Sequence, residues 1–405
     1  MQGSNDSRVK EALKKKAAYG DDVDLSKYEI GRRDRDVIDD LKGSGNVFKE
    51  TMESVGVTAD EDSRAATIMF IDNSLGHCSS KTPEGVEIMS TANAVKKYEW
   101  VKDYAWSAVE PDRDKYTALA YLEESDGYFI RIKSGYRIEE PIQTCMLVDS
   151  ANTVQNVHNI VVVEDGASAS LITGCATSPH AGGSMHVGIT EMFIGDNSDL
   201  TFSMIHNWGK ETVVRPRTAI NIGANSNYTN NYVILEDVGT LQSNPVANIN
   251  GEGSSVKFNS MCIAQTDSDI DSGSVVNLNA KNTSSEIVSR SIIVGGKMIA
   301  RGRLVGNCPG VKAHLECKSI ILSETGSSIA IPELEANVAD LEMTHEAAVG
   351  KIARDQIEYL MSRGLSEDDA VSMIVSGFLS GGIEGLPKEL EDKIAEAISI
   401  ADLGN

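Results

Sequence analysis

Along most of this chain apolar and polar residues alternate with a period of two, and small polar turns interrupt the alternation at regular intervals. The pattern starts near Lys115, with residues 116–122 and 127–132 as its first expected strands, and runs to about Ile331. Its clearest turns are Asp165-Gly166-Ala167-Ser168, Gly195-Asp196-Asn197-Ser198, Gly223-Ala224-Asn225-Ser226, Gly251-Glu252-Gly253-Ser254 and Lys281-Asn282-Thr283-Ser284. The closing serines, Ser168, Ser198, Ser226, Ser254 and Ser284, recur at a nearly constant step. A repeat this regular marks a solenoid. The units are rich in Val, Ile, Ser and Asn and carry no leucine ladder. The expected form is therefore mainly β, a parallel β-helix with one rung per period at about 4.8 Å strand spacing. An antiparallel meander with coincident turns is the alternative.

The ends carry a different period. Residues 1–114 read as a mostly helical N-terminal region, with helices over 8–17, 37–41, 47–55 and 92–106 and a single strand over 66–71. From Asn337 the pattern turns helical again. A helix over 355–363 ends on Gly364, a good residue for the left-handed turn after a helix. Ser366, with Asp369 three residues on, opens a second helix over 366–376. Pro387 opens a third, with Leu390, Ile394, Ala397 and Ile398 on one face. The chain thus divides into 1–114, a β-helix core over 115–335, and a helical C-terminal domain over 336–405. Helices at both ends at least meet a solenoid's need for caps.

Composition narrows the function. Aromatics are 5% of residues, which suits thin stacked β-structure better than a thick core. A formal net charge of −23 disfavours nucleic acid and anionic membranes as partners. No apolar run approaches the roughly 18 residues of a membrane span. The polar, Lys-rich start has no apolar signal core, so a cytoplasmic protein is expected. The six cysteines are scattered and none forms C-x-x-C, which argues against a zinc ribbon and a disulfide framework. Gly295-Gly296-Lys297 is followed by Met298 where a phosphate-binding loop needs Ser or Thr, so the chain is not expected to hydrolyse ATP. Asp267-Ser268-Asp269-Ile270-Asp271 fails as a calcium loop, because Gly273 comes one place late and Leu278 replaces the closing Glu.

One constellation carries chemistry. Cys317 lies in the strand-like run His314-Leu315-Glu316-Cys317-Lys318-Ser319-Ile320, and His345 and Glu346 follow it by about one period of the repeat. Residues one period apart stack in adjacent rungs, so a thiolate, an imidazole and a carboxylate are expected to converge. Thiolate favours iron–sulfur or copper, imidazole suits iron, and a carboxylate makes the site exchangeable. A set this incomplete fits a cluster that is handed on. The plainer alternative is a buried thiol and a His-Glu pair capping the following helix. Cys262, Arg290 and Cys317, again about one period apart, form a second expected column. His206-Asn207-Trp208 is expected to be a strand end packed by the indole, and His158, Cys175 and His186 to be packing or turn residues.

At these residues the sequence resembles the SufB/SufD family of iron–sulfur cluster assembly proteins. Ser366 to Phe378, reading SEDDAVSMIVSGF, looks like the family's C-terminal signature. THEAAVGKI at 344–352 is similar to its histidine-containing motif, Ile205-His206-Asn207-Trp208 resembles its IQNW, and 279–292 its NAPNTSS run. The resemblance covers roughly 95–380. It implies a right-handed parallel β-helix and a C-terminal helical domain that docks a SufC-like ABC ATPase. It also implies a non-enzymatic scaffold that assembles a nascent iron–sulfur cluster and passes it to acceptor proteins. Cys317 matches the SufB cysteine, and His345 and Glu346 match the His-Glu of its HEAT-type motif. Glu346 leans toward SufB, since SufD-type chains usually have His-Gly there. Thr344 stands where many SufB chains have Glu, and SufB's N-terminal cysteine motif is not apparent. SufB proper, a single protein serving both roles, and a SufD-like supporting subunit therefore stay open. Met361, Met373, Ile374 and Phe378 are the apolar candidates for the ATPase contact. Three ligands fall short of the roughly four that a cluster wants. A homodimer, or a pair with a related SufB/SufD chain, joined near the last rungs would supply the rest. From another class, a β-helix polysaccharide lyase or hydrolase is the rival.

Overall fold

The repeat becomes a parallel β-solenoid of about 8 turns with a few helices at both ends. The computed structural model describes residues 2–31 and 35–380. Each full rung places one strand in a 10-stranded sheet and the rest of its length in an 11-stranded sheet facing it. Asn227–Ile234, Ser255–Ala264, Ser284–Ile293, Val311–Ile321 and Leu341–Gly350 follow one another in the first sheet, paired in parallel. Asp269–Leu278, Lys297–Gly306 and Ser327–Ala336 do the same in the second. Two earlier rungs of that second sheet are broken at Pro216 and Pro245, where a missing N–H interrupts the ladder. A single apolar core fills the lumen from Ala65 to Cys317.

The turns explain the period. Asn197, Asn225 and Asn282 take left-handed backbone, with φ of 56°, 52° and 56°, and Gly253 and Gly310 follow with 76° and 75°. Asn tolerates this region and Gly enters it freely. Beside them runs a column of hydroxyls. The Ser198 N–H donates to the Ser226 Oγ at 3.1 Å, and the Ser226 N–H to the Ser254 Oγ at 3.0 Å. Each hydroxyl then donates to a carbonyl one rung back, as Ser226 does to Gly195 at 2.7 Å. Register places Asp199, Asn227, Ser255 and Ser284 in one row, so Thr283 continues the column. Ser168 pairs with Asp199, and its predecessor Ala167 holds the column. Two of the five serines that reveal the period therefore sit one place off the ladder they announce. Gly251 is required for a different reason, since a Cβ there would lie 2.0 Å from the Ala224 nitrogen of the turn beneath.

Several expected elements are corrected. Residues 116–122 are not a strand; Lys115–Leu122 is a helix. Asp114 accepts from the Tyr116 and Thr117 N–H groups at 2.9 and 3.2 Å, and Thr117 Oγ1 accepts from the Asp114 N–H at 3.1 Å. This reciprocal cap starts the helix, and burial from Lys115 to Ala120 removes the polar face that would have revealed it. Residues 37–41 form no α-helix; only the single turn Leu41–Gly43 is helical there. The expected strand over 66–71 is Ala66–Ile71, and Ser74–Ser80 pairs with it antiparallel to close that edge of the first sheet. Beyond Asn337 the chain is not helical at once, for Leu341–Gly350 is the last strand. The helices Arg354–Ser362 and Glu367–Ser380 follow it. The helix expected after Pro387 lies outside the described residues.

Helices from before and after the solenoid pack on the first sheet's outer face. Met52 of the helix Asn46–Ser54, Val55 just after it, and Val375 and Leu379 from the helix Glu367–Ser380 share one buried cluster with Ile205, Val233, Met261 and Ile292. Among the described residues nothing covers the final rung, and Ile329, Leu334 and Val349 stay exposed there.

Ser226→Ala leaves the buried Ser198 N–H without an acceptor, so it should destabilise the solenoid by about 1–3 kcal/mol. Ser168→Ala, off the ladder, should change stability by less than about 0.5 kcal/mol. Urea unfolding of both variants checks this, and equal losses would contradict a hydroxyl ladder.

Candidate metal-binding rim

The strand Val311–Ile321 alternates strictly. Val311, Ala313, Leu315 and Cys317 are buried in the lumen core, while Lys312, His314, Glu316 and Lys318 point to the outer face. The next strand pairs Leu315 with His345, Glu316 with Glu346, and Cys317 with Ala347. This rung is slightly longer than the period that would have set His345 over Cys317. Paired residues share a face. His345 thus faces the lumen side, stacked over Leu315, and is exposed because no described rung lies above it. Glu346 faces the opposite way, over Glu316. The three sequence candidates do not stand in one column: Cys317 and His345 are diagonal neighbours on the inner face, and Glu346 is on the outer face.

The expected column Cys262–Arg290–Cys317 is also corrected. Cys262 pairs with Ser291, and Cys317 with Ser289, while Arg290 stacks between Met261 and Lys318 on the outer face. Cys317 therefore stands in an inner column that runs Tyr232, Ser260, Ser289, Cys317, Ala347. Burial pushes the Cys317 thiol up to about 11, with the Glu316 carboxylate adding to the effect. At neutral pH it is a thiol, so any metal it takes must displace a proton. Cys262, deeper in the lumen, is pushed up to about 12 by burial.

The outer face holds the convergence that sequence reasoning missed. One ligating atom from each of His314, Glu316 and Glu346 lies within 4.8 Å of the others. Lys318 Nζ donates to Glu316 Oε2 at 2.8 Å and pairs with Glu346 Oε1 at 3.1 Å. Arg290 Nη2 donates to Glu316 Oε1 at 3.0 Å, and its Nη1 donates to the Phe378 carbonyl. The Phe378 ring lies 5.5 Å from the same guanidinium. His314 and Glu316 stand in the same run as Cys317, and their polar alternation was the signal for a shared outer face.

The apolar candidates on the C-terminal helices divide. Met361 and Met373 are exposed, as is Tyr359, which sequence reasoning passed over. Ile374 is half-buried, and Phe378 packs onto the solenoid. The other histidines named from sequence are internal: His158 bonds Glu191 at 2.7 Å, His186 bonds Gln155 at 2.8 Å, and buried Trp208 packs against His186 and His206.

The fold defines a parallel β-solenoid protein, and comparison with known proteins gives the family. Residues 146–378 match the family profile described as SUF system FeS cluster assembly, SufBD core domain. A Methanothermobacter thermautotrophicus protein described as an iron–sulfur cluster assembly SufBD family protein is 44% identical over 391 residues, 95% of each chain. An Archaeoglobus fulgidus protein of the same description is 43% identical over 360 residues, 89% of this chain and 96% of that one. A Pyrococcus horikoshii relative, also described as SufBD, is 28% identical over 323 residues, 79% of this chain and 72% of its own. The chain belongs to the SufBD family of iron–sulfur cluster assembly proteins. The carbohydrate-cleaving alternative gives way to this family. Among the described residues no helix is long and apolar enough to cross a membrane.

Proposed function

We propose that this chain is the scaffold on which a nascent iron–sulfur cluster is built and from which it passes to acceptor proteins. Cys317, His345 and Glu346 are the cluster ligands in this reading, with the SufB role favoured over a SufD-like supporting one. Cys317 and His345 hold the cluster from the inner face, and Glu346, on the outer face of the last strand, reaches it only around the rim. The observation that carries it is the position of Cys317. It lies one rung below the uncovered end of the solenoid, diagonal to an exposed imidazole on the same face. A thiol there is shielded from solvent and oxidant yet has no further described rung to bury a bound cluster. The cluster is cargo: the chain's residues hold it, and the weak, mixed ligand set lets it go.

The rim also supports the proposed assembly. Among the described residues the edges of Ser327–Ala336 and Leu341–Gly350 are unpaired on their outer side, and such edges favour pairing with another strand. A homodimer, or a pair with a related SufB/SufD chain, would cover them and bring further ligands. The driving partner is a SufC-like ABC ATPase in the cytoplasm. It docks on the helices Arg354–Ser362 and Glu367–Ser380, where Met361, Met373 and Tyr359 offer free apolar surface. Ile374 contributes in part, and Phe378 serves the internal contact instead.

Anaerobic reconstitution with iron and sulfide tests the ligands. The native chain should hold about one cluster per chain or fewer. Cys317→Ser should lose it while keeping the fold, and His345→Ala and Glu346→Ala should weaken it less. An unchanged visible spectrum in all three variants would rule the site out.

Co-purification with the ATPase tests the docking face. Met361→Asp with Met373→Asp, both exposed, should abolish capture and leave the circular dichroism of the chain unchanged. Undiminished capture would place the interface elsewhere.

A further inference from the structure

We propose that His314, Glu316 and Glu346 form a divalent-cation site on the outer wall of the last two rungs, back to back with the thiol. If the scaffold reading above holds, its metal is ferrous iron arriving before sulfide. The geometry is set by register. His314 and Glu316 alternate outward on one strand, and Glu346 stacks over Glu316 from the next. Their ligating atoms already lie within 4.8 Å of one another, so side-chain shifts of under about 1 Å bring all three to the roughly 2.0–2.2 Å of a metal bond. Two carboxylates and an imidazole form a hard-to-borderline set that suits ferrous iron or manganese and carries no thiolate.

Two contacts point to a cation rather than to a chance cluster. The Lys318 ammonium lies against both carboxylates, at 2.8 and 3.1 Å, and so already bridges them with positive charge. Its flexible four-carbon stem, with the side chain 26% exposed, makes it the exchangeable cation of the group. Arg290 is not exchangeable, because Phe378 holds it by both its carbonyl and its ring. One fixed positive charge thus stays with Glu316 while the mobile one can be replaced by a dication. The Thr344 hydroxyl, 2.8 Å from His314 Nδ1, fixes the imidazole in the way that the partners of metal-bound histidines do. An open cleft lined by Ser285, Lys312, His314, Glu342 and Thr344 adjoins the group and gives water and ions access.

The wall separates two chemistries. Hard ligands face outward and the soft thiol faces inward, and Glu346 sits on the rim that joins them. Iron can then be held without oxidising or occupying Cys317.

Mn(II) is the probe, because it takes oxygen and nitrogen ligands and its free EPR signal disappears on binding. The full chain should bind about one Mn(II) above the diffuse background of an acidic surface. His314→Ala should weaken that binding at least about tenfold. Lys318→Ala, which removes the competing ammonium, should tighten it roughly two- to fivefold. Cys317→Ser should leave it unchanged. Binding that ignores both His314→Ala and Lys318→Ala, or that disappears in Cys317→Ser, would overturn the site. The two readings fail separately: Mn(II) binding that survives in a chain unable to hold a cluster would remove the scaffold role and leave this site standing. A cluster that loads normally in a chain with no Mn(II) binding would do the reverse.

Discussion

Parallel in-register stacking is the constraint on which the rest of this structure depends. Once a rung's register is fixed, the face of every residue above it is fixed too, because side chains alternate with a period of two. The hydroxyl ladder at Ser198, Ser226 and Ser254 and the left-handed Asn and Gly turns beside it hold that register. The same rule puts Cys317 in the lumen and Glu316 on the wall, neighbours in sequence on opposite sides of a sheet.

The outer wall near the rim is where distant parts of the chain meet. The guanidinium of Arg290 links the strand Val311–Ile321 to the helix Glu367–Ser380 through Glu316 and Phe378. A displacement of that helix must break the Phe378 contacts to Arg290, while the Arg290–Glu316 pair stays within the sheet. Burial of Val375 and Leu379 against Met261 and Ile292 resists it. The helix expected to meet a partner is thus also part of the solenoid's own packing, and among the described residues the exposed large apolar side chains of the two C-terminal helices are Tyr359, Met361 and Met373.

The fold was legible because the repeat writes itself into turns. Asn-Ser and Gly-Ser pairs recur where backbone and hydroxyl ladder demand them, so period and class followed directly. The helix Lys115–Leu122 was not legible, since burial on nearly all sides leaves an apolar run without a helical stripe. The last strand was not legible for the opposite reason: no described rung covers it, so apolar alternation gives way to exposed residues. The site was half legible. Residue types singled out Cys317, His345 and Glu346 as candidates, but adjacent residues such as His345 and Glu346 cannot share a strand face. The turn over 322–326 is longer than the turn over 294–296, which moves His345 from Cys317 to Leu315. Composition gives no measure of such an insertion; the pairing does. His314 and Glu316 are not legible as a pair, because polar residues alternating along a strand read equally as a solvated face until the register brings Glu346 over them.

In the proposed reading the cluster is held at the solenoid's open rim by unlike ligands rather than by thiolates alone. Iron K-edge X-ray absorption of the reconstituted chain, alone and as His345→Ala, distinguishes the two. A nitrogen or oxygen shell at roughly 2.0–2.2 Å beside the sulfur shell, reduced in the variant, is expected. An all-sulfur shell, the same in both proteins, would contradict the proposed reading.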